Sequence, residues 1–316
     1  MAKSFAMSTA RNTKLVFRNA TVNEMDNITR LSISEKWDVG PFDFHCGFAF
    51  NPKGFFVGEI DGELVSHIHT MIYPNHSHMG GLIITEKYRQ KGYAPQSTLK
   101  ALEACNQSYT IGGDVNLGCE SNYEALGFEK AWNSSIAMLD LDKTIKNLTN
   151  AIPSIGVAVK PIHELNIEQL LEYDRFIFGT ARRKFLEKWI TVPGSFGWVA
   201  VNEKKDIVGY AVLKQVIRDA GTEIGMAMAP LFANNVNIAK LLLLTAAENC
   251  CANPAVPNTK LELFHPVGNI CGEDASQLME DVEAELTHIA HRMYTKGIPA
   301  GRQLKKIYGI ATRAFD

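Results

Sequence analysis

Two hydrophobic periods alternate along the chain, and their order predicts two similar sets of strands and helices. Val16 to Ala20 reads as a strand, and Thr21-Val-Asn-Glu24 has the capping-box pattern that opens a helix with Met25, Ile28 and Leu31 on one face. From Pro52 to Ser66 two apolar runs flank Asp61-Gly62, which predicts strand, tight turn, strand. The apolar run Leu82-Ile-Ile84 and a turn follow. A helix then tolerates Pro95 in its first turn and carries Leu99, Leu102 and Cys105 on one face. The second half repeats this order: strand Val157 to Val159, helices Ile167 to Phe178 and Arg182 to Trp189, a hairpin from Pro193 to Tyr210, strand Glu223 to Met228, and helix Val236 to Asn249. Between the halves, Asp142 to Ser154 is polar and holds Pro153. The pattern predicts an α/β (α+β) fold of two domains, 1–143 and 155–316, each a mixed sheet flanked by helices.

Composition narrows the function classes. The 316 residues are 46% hydrophobic and 21% charged, with a formal charge of -2. Such a chain lacks the basic field expected of a nucleic-acid or membrane-surface binder. The first dozen residues are expected to be floppy. They have no apolar core of a signal peptide, and the run Ile238 to Ala247 is too short to span a bilayer. Six cysteines, Cys46, Cys105, Cys119, Cys250, Cys251 and Cys271, show no CxxC spacing and read as reduced thiols, so a cytoplasmic protein is expected.

The segment with most chemistry is Ile83-Ile-Thr-Glu-Lys-Tyr-Arg-Gln-Lys-Gly-Tyr-Ala94, a strand, a loop and a helix start. Its R-x-x-G-x-A spacing puts Gly92 where backbone can approach an anion, and the free N–H groups of the following helix can hold phosphate oxygens. A helix start after a glycine turn is also common as plain structure. This loop, together with Asn122-Tyr-Glu-Ala-Leu-Gly-Phe128, resembles the acyl-CoA loop and second motif of the GNAT N-acetyltransferase superfamily. Glu35-Lys-Trp-Asp-Val-Gly40, Asn51-Pro-Lys-Gly-Phe-Phe56 and Gly112 to Tyr123 resemble, more narrowly, a tandem-GNAT group of the YitH/HolE type. So do Tyr173 to Arg182, Met293 to Gly297 and Ile307 to Ala311 in the second half.

The resemblance implies acetyl-CoA as cosubstrate and a small amine or amino-acid-like acceptor, without a metal. Leu82, Ile83 and Ile84 would pair with the pantetheine arm, while Arg89, Gln90, Lys91, Gly92, Tyr93, Ala94 and Asn122 would lie along the cofactor. Tyr123 occupies the position of the acid that protonates the departing thiolate, although packing behind the Gly-Phe turn is the plain structural reading. Trp37, Asp114 and Arg182 are candidate acceptor contacts, Asp114 also being placed to orient the Tyr123 segment. The second half departs from the pattern: Ala229-Pro-Leu-Phe-Ala-Asn-Asn235 has neither glycine nor a basic residue where its loop would fall. That half is expected to form a wall of the acceptor pocket or to be a structural remnant.

Four of the nine histidines, His67, His69, His76 and His78, crowd one predicted hairpin with Pro74-Asn75 at its turn. Staggered along a ribbon, they would not converge on one zinc ion without distortion. A solvated or half-buried hairpin face is the plain reading. Counting back from Arg89 makes His78 a candidate general base, with His69 in reserve. Two alternatives to an enzyme follow: a CoA- or metabolite-binding module without turnover, and a metal-binding protein built on the His67–His78 hairpin. Oligomeric state leaves no mark in the sequence.

Overall fold

The computed structural model describes residues 14–252, 260–267 and 272–316. The first dozen residues and Cys271 lie outside these ranges. The first half runs β1 (Val16–Asn19), α1 (Met25–Ser34), α2 (Asp43–Phe50), β2 (Phe55–Ile60), β3 (Glu63–Ile72), β4 (His76–Ile84), α3 (Tyr93–Ala104), β5 (Thr110–Asn116), α4 (Glu120–Glu124), β6 (Glu129–Asp140) and α5 (Leu141–Leu148). The second runs β7 (Val157–Pro161), α6 (Ile167–Phe178), α7 (Arg183–Trp189), β8 (Phe196–Asn202), β9 (Ile207–Arg218), β10 (Glu223–Ala233), α8 (Val236–Ala252), β11 (Lys260–Val267), α9 (Glu273–Asp281), β12 (Glu285–Tyr294) and β13 (Ile307–Gly309).

Local rules account for the ends of these elements. The Thr21–Glu24 capping box forms and leads through one 3-10 turn into α1. Asp61 and Gly62 both take positive φ, as a two-residue hairpin turn requires. Helix α6 spans the predicted Ile167–Phe178, capped by Asn166 and stopped by Gly179 at φ 87. The polar stretch after Asp142 departs from expectation. Asp140 caps Lys143 N at 3.0 Å, and Leu141, Thr144 and Leu148 are buried along one face of α5. Helical spacing at i, i+3 and i+7 makes this segment amphipathic despite its polarity. Leu141 and Leu148 join the core that packs under α8.

Among the described residues thirteen strands join one sheet, in the order β1-β2-β3-β4-β5-β12-β6-β11-β10-β9-β8-β7, with β13 paired to β10. Strand exchange produces this order. β12, from the second half, lies between β5 and β6 of the first, and β6 in turn pairs with β11. The division at 1–143 and 155–316 is therefore crossed by hydrogen-bonded ladders on both sides. One hydrophobic cluster also runs across it, from Met25, Phe44 and Phe55 to Phe185, Trp189 and Phe232. Among the described residues no helix is long and apolar enough to cross a membrane.

Candidate active site

β4 and β5 run parallel but stay paired only from His76–Thr110 to Met79–Gly113. Beyond that point β5 turns to β12, pairing Asp114 with Arg292, and β4 follows β3 alone. The two strands splay apart where β4 also changes register, between the His69–Gly80 and His67–Ile83 pairs. Gly81, at φ 65, occupies that irregularity. A bulge leaves backbone groups unpaired, so Gly80 to Ile84 offer strand-like backbone along the open edge. Leu82, Ile83 and Ile84, the expected pantetheine contacts, lie in this part of β4.

From this edge the chain enters the loop and α3. Gly92 precedes the helix at φ 79, and a Cβ placed on it would meet nothing within 4 Å. Among the described residues no side chain caps the helix, so its first turn, where Ala94 lies, offers backbone N–H groups to an anion. Gln90 also takes positive φ, and Lys91 Nζ donates to Lys87 O at 3.0 Å while lying over the Tyr88 ring. Arg89 differs from expectation. Its Nε donates to Ile84 O at 3.0 Å and its Nη2 pairs with Glu35. The guanidinium thereby ties the loop to the segment after α1.

A second splay lies between β10 and β11, which pair in parallel only from Met226–Leu261 to Met228–Leu263. This one is filled. β13 pairs with β10 through Leu231–Gly309 and Phe232–Ile307, and Ile310 N donates to Phe264 O of β11 at 2.9 Å. Gly309 lets the strands approach closely: a Cβ there would stand 2.2 Å from Leu263 Cδ1 and would displace that buried side chain. The segment expected to be a degenerate loop continues β10 through Ala233 instead.

After β13 the chain crosses back to the first half and changes the reading of the histidines. His67, His69, His76 and His78 are all buried, rather than solvated or half-buried. His69 Nε2–H donates to Ala314 O at 2.9 Å and His78 Nε2–H to Arg313 O at 3.0 Å. The Tyr73 hydroxyl donates to Phe315 O. His67 Nδ1–H donates to Phe56 O at 3.0 Å, and its ring meets Phe44 edge-on. Burial pushes His69 down to about 4, His78 to about 3 and His76 to about 2. His67 is also held well below its ordinary value by burial, with His69 adding to the shift. Neither His78 nor His69 is available as the general base expected of it, because the tail covers both and their Nε2 protons are engaged. The rings point at different carbonyls, and among the described residues no group of three metal-binding side chains converges.

The other candidates are placed as follows. Tyr123 sits in α4 with its ring edge-on to Phe128 at 5.6 Å, half-buried against the cluster beneath α3. Burial raises its pKa. Asn122 is exposed beside it. Asp114 does not orient the Tyr123 segment. Its two oxygens accept from Arg292 Nε at 3.0 Å and Nη2 at 2.7 Å, and Oδ1 also from Ser134 at 2.9 Å. Burial pushes this carboxyl up, but Arg292 outweighs that and holds it at about 2. Arg182 is no acceptor contact. It is fully buried, paired with Asp174 at 2.8 Å and stacked 3.9 Å over the Phe178 ring. A guanidinium taken from water needs such a partner.

Trp37 packs partly buried against the shared core, in a loop docked on the second half. Ile217 N donates to Val39 O at 2.9 Å, and Lys214 pairs with buried Asp43. Sequence reasoning missed Arg292 and Arg313. An arginine inside the strand Ala290-His-Arg-Met-Tyr294 is a legible sign of a buried charge, but its partner on β5 is not.

Two parallel strands that part at a bulge, followed by an uncapped helix behind glycine, frame the candidate site. Residues 22–128 match a family model described as acetyltransferase (GNAT) family, and residues 170–309 match one described as acetyltransferase (GNAT) domain. The chain belongs to the GNAT acyltransferases and carries two such domains in tandem. A similar curated protein is the holothin acyltransferase of Pseudoalteromonas sp. (strain SANK 73390), 23% identical over 231 residues that span 72% of this chain and 73% of that one. Among solved structures, a putative acetyltransferase from Pyrococcus horikoshii aligns with a TM-score of 0.71 at 17% identity, covering 99% of this chain and 100% of that one. A tandem GNAT protein from the clavulanic acid biosynthesis pathway aligns at 0.62 and 14% identity, covering 89% and 98%. These likenesses concern the fold.

Proposed function

We propose that the protein is an acetyl-CoA-dependent N-acyltransferase acting on a small amine, with one working site, in the splay of β4 and β5. The observation that carries this reading is the contrast between the two splays. One is open beside a helix start that no side chain caps, and the other is filled by β13. In this reading residues 1–143 supply the acyl-CoA domain. Residues 155–316 supply β12, the tail and the wall against which the Trp37 loop rests.

The chemistry follows from the groups present. Phosphate oxygens would meet the N–H groups at the start of α3, and the pantetheine arm would lie along Leu82, Ile83 and Ile84. A neutral amine attacks the thioester carbonyl, its lone pair forming the C–N bond. A backbone N–H at the bulge stabilises the developing oxyanion. As the C–S bond breaks, its electron pair goes to sulfur and Tyr123 O–H supplies a proton to the thiolate. The proton lost by the amine goes to water, since both histidines are covered.

The test is thiol release from acetyl-CoA across a panel of amines. Release with at least one amine is expected, and Tyr123→Phe should lower kcat roughly 100-fold with KM for acetyl-CoA unchanged. Binding of acetyl-CoA without release on any amine would favour a non-catalytic CoA-binding module instead.

A further inference from the structure

On the face of the sheet opposite α3, one guanidinium at the mouth of the first splay lacks an acidic partner among the described residues. Ile111 and Val115 of β5 pack with Ala101 beneath α3, so the alternation of the strand turns Gly112 and Asp114 to the other face. Arg313 lies across that face. Its backbone oxygen accepts from His78 on β4. Its Nη2 reaches Asn116 Oδ1 at 3.4 Å at the end of β5, and its Nη1 donates to His288 O at 3.1 Å on β12. Nε is buried with no hydrogen-bond partner. The nearby carboxylate, Asp114, already has both oxygens on Arg292. Two guanidiniums therefore face one carboxylate. Burial lowers the Arg313 pKa and Arg292 adds to that, as expected of a cation short of a counter-charge.

We propose that Arg313 receives a carboxylate of the acceptor, which makes the acceptor an amino acid or another amine bearing a carboxylate close to its amino group. This rests on the acyl-transfer reading of the first splay. The planar fork of a guanidinium fits a carboxylate with two parallel hydrogen bonds, and the excess positive charge at the mouth is neutralised only by an anionic ligand. The same charge has a second consequence. Paired with the carboxylate, it removes the anionic neighbour that would otherwise hold the ammonium charged, and so favours the neutral, attacking amine in a site whose histidines are covered. A plain amine would leave Arg313 uncompensated and would be repelled in its charged form.

The experiment compares the common α-amino acids and β-alanine, each with its own carboxamide, against protein saturated with acetyl-CoA, by thiol release and against CoA-saturated protein by calorimetric binding. At least one acid is expected to be preferred over its carboxamide by roughly 10- to 100-fold, the range of a charge-assisted pair. Arg313→Gln should abolish that preference and Arg313→Lys should retain part of it. The acetyl-CoA-induced rise in melting temperature reports that each variant is folded. Acids no better than carboxamides in either readout, or a preference that survives in Arg313→Gln, overturns the assignment. Preferential binding of an acid without thiol release would uphold Arg313 and contradict the enzymatic reading alone.

Discussion

Lowering the pH from 7.5 to 5.0 should remove roughly 5 kcal/mol of folding stability, measured by denaturant unfolding at the two values. The cause is the four buried histidines. Each is neutral when folded, with its pKa pushed below the ordinary 6.5 by burial. The unfolded chain binds protons below about 6.5 that the native chain refuses, so stability present above that pH is lost as pH falls through 6.5 toward the folded values. At pH 5.0 His69, His76 and His78 each contribute a loss of about 2 kcal/mol, or about 6 together, and His67 acts in the same direction. Glu262 works in the opposite sense. Burial raises it to about 7 against the restraint of Arg218, so the native state takes up its proton first and regains roughly 2 to 3 kcal/mol on acidification. Glu262→Gln removes that offset and should steepen the loss. A net change of this size is comparable to the whole stability of many domains. Stability that stays flat or rises between pH 7.5 and 5.0 would mean that the four histidines are not buried as neutral rings.

Gly92→Glu should weaken acetyl-CoA binding by at least ~100-fold, through three effects that act together. The φ of 79 belongs to a region that costs a residue with a Cβ about 1 to 2 kcal/mol. The new carboxylate stands where phosphate oxygens would lie, a like-charge repulsion of about 1 to 4 kcal/mol near a protein surface. The side chain also fills the open space before the helix start. Gly92→Ala isolates the first effect and should cost about tenfold. Calorimetric titration of acetyl-CoA measures both variants. Affinity of Gly92→Glu within about threefold of wild type would move the site away from this loop.

The parts of the fold written in neighbouring residues were legible in the sequence. The Thr21–Glu24 box, the Asp61-Gly62 turn and the Arg89–Ala94 loop each depend on groups within a few positions of one another, so their spacing carries them. The Tyr73–His76 turn is of the same kind, with Tyr73 N donating to His76 O at 2.9 Å. What escaped depends on distant register. Nothing in the period of His67 to His78 marks that Ala314, 245 residues beyond His69, will lie over it. The same holds for the insertion of β12 beside β5 and for β13 in the second splay. A strand's pattern shows which face is buried but not which strand it will join. Arg182 was misplaced for a related reason. Near an expected junction a charge reads as exposed, and only the fold brings Asp174 and Phe178 around it.

In the proposed function the tandem domains hold a single acyl-CoA site, because the chain's own strand β13 occupies the second splay. Counting acetyl-CoA molecules bound per chain by native mass spectrometry, backed by calorimetric stoichiometry, tests it most directly. One molecule per chain is expected for the wild type, and none for Gly92→Glu at the same concentration. Two molecules per chain, or one that persists in Gly92→Glu, would contradict it.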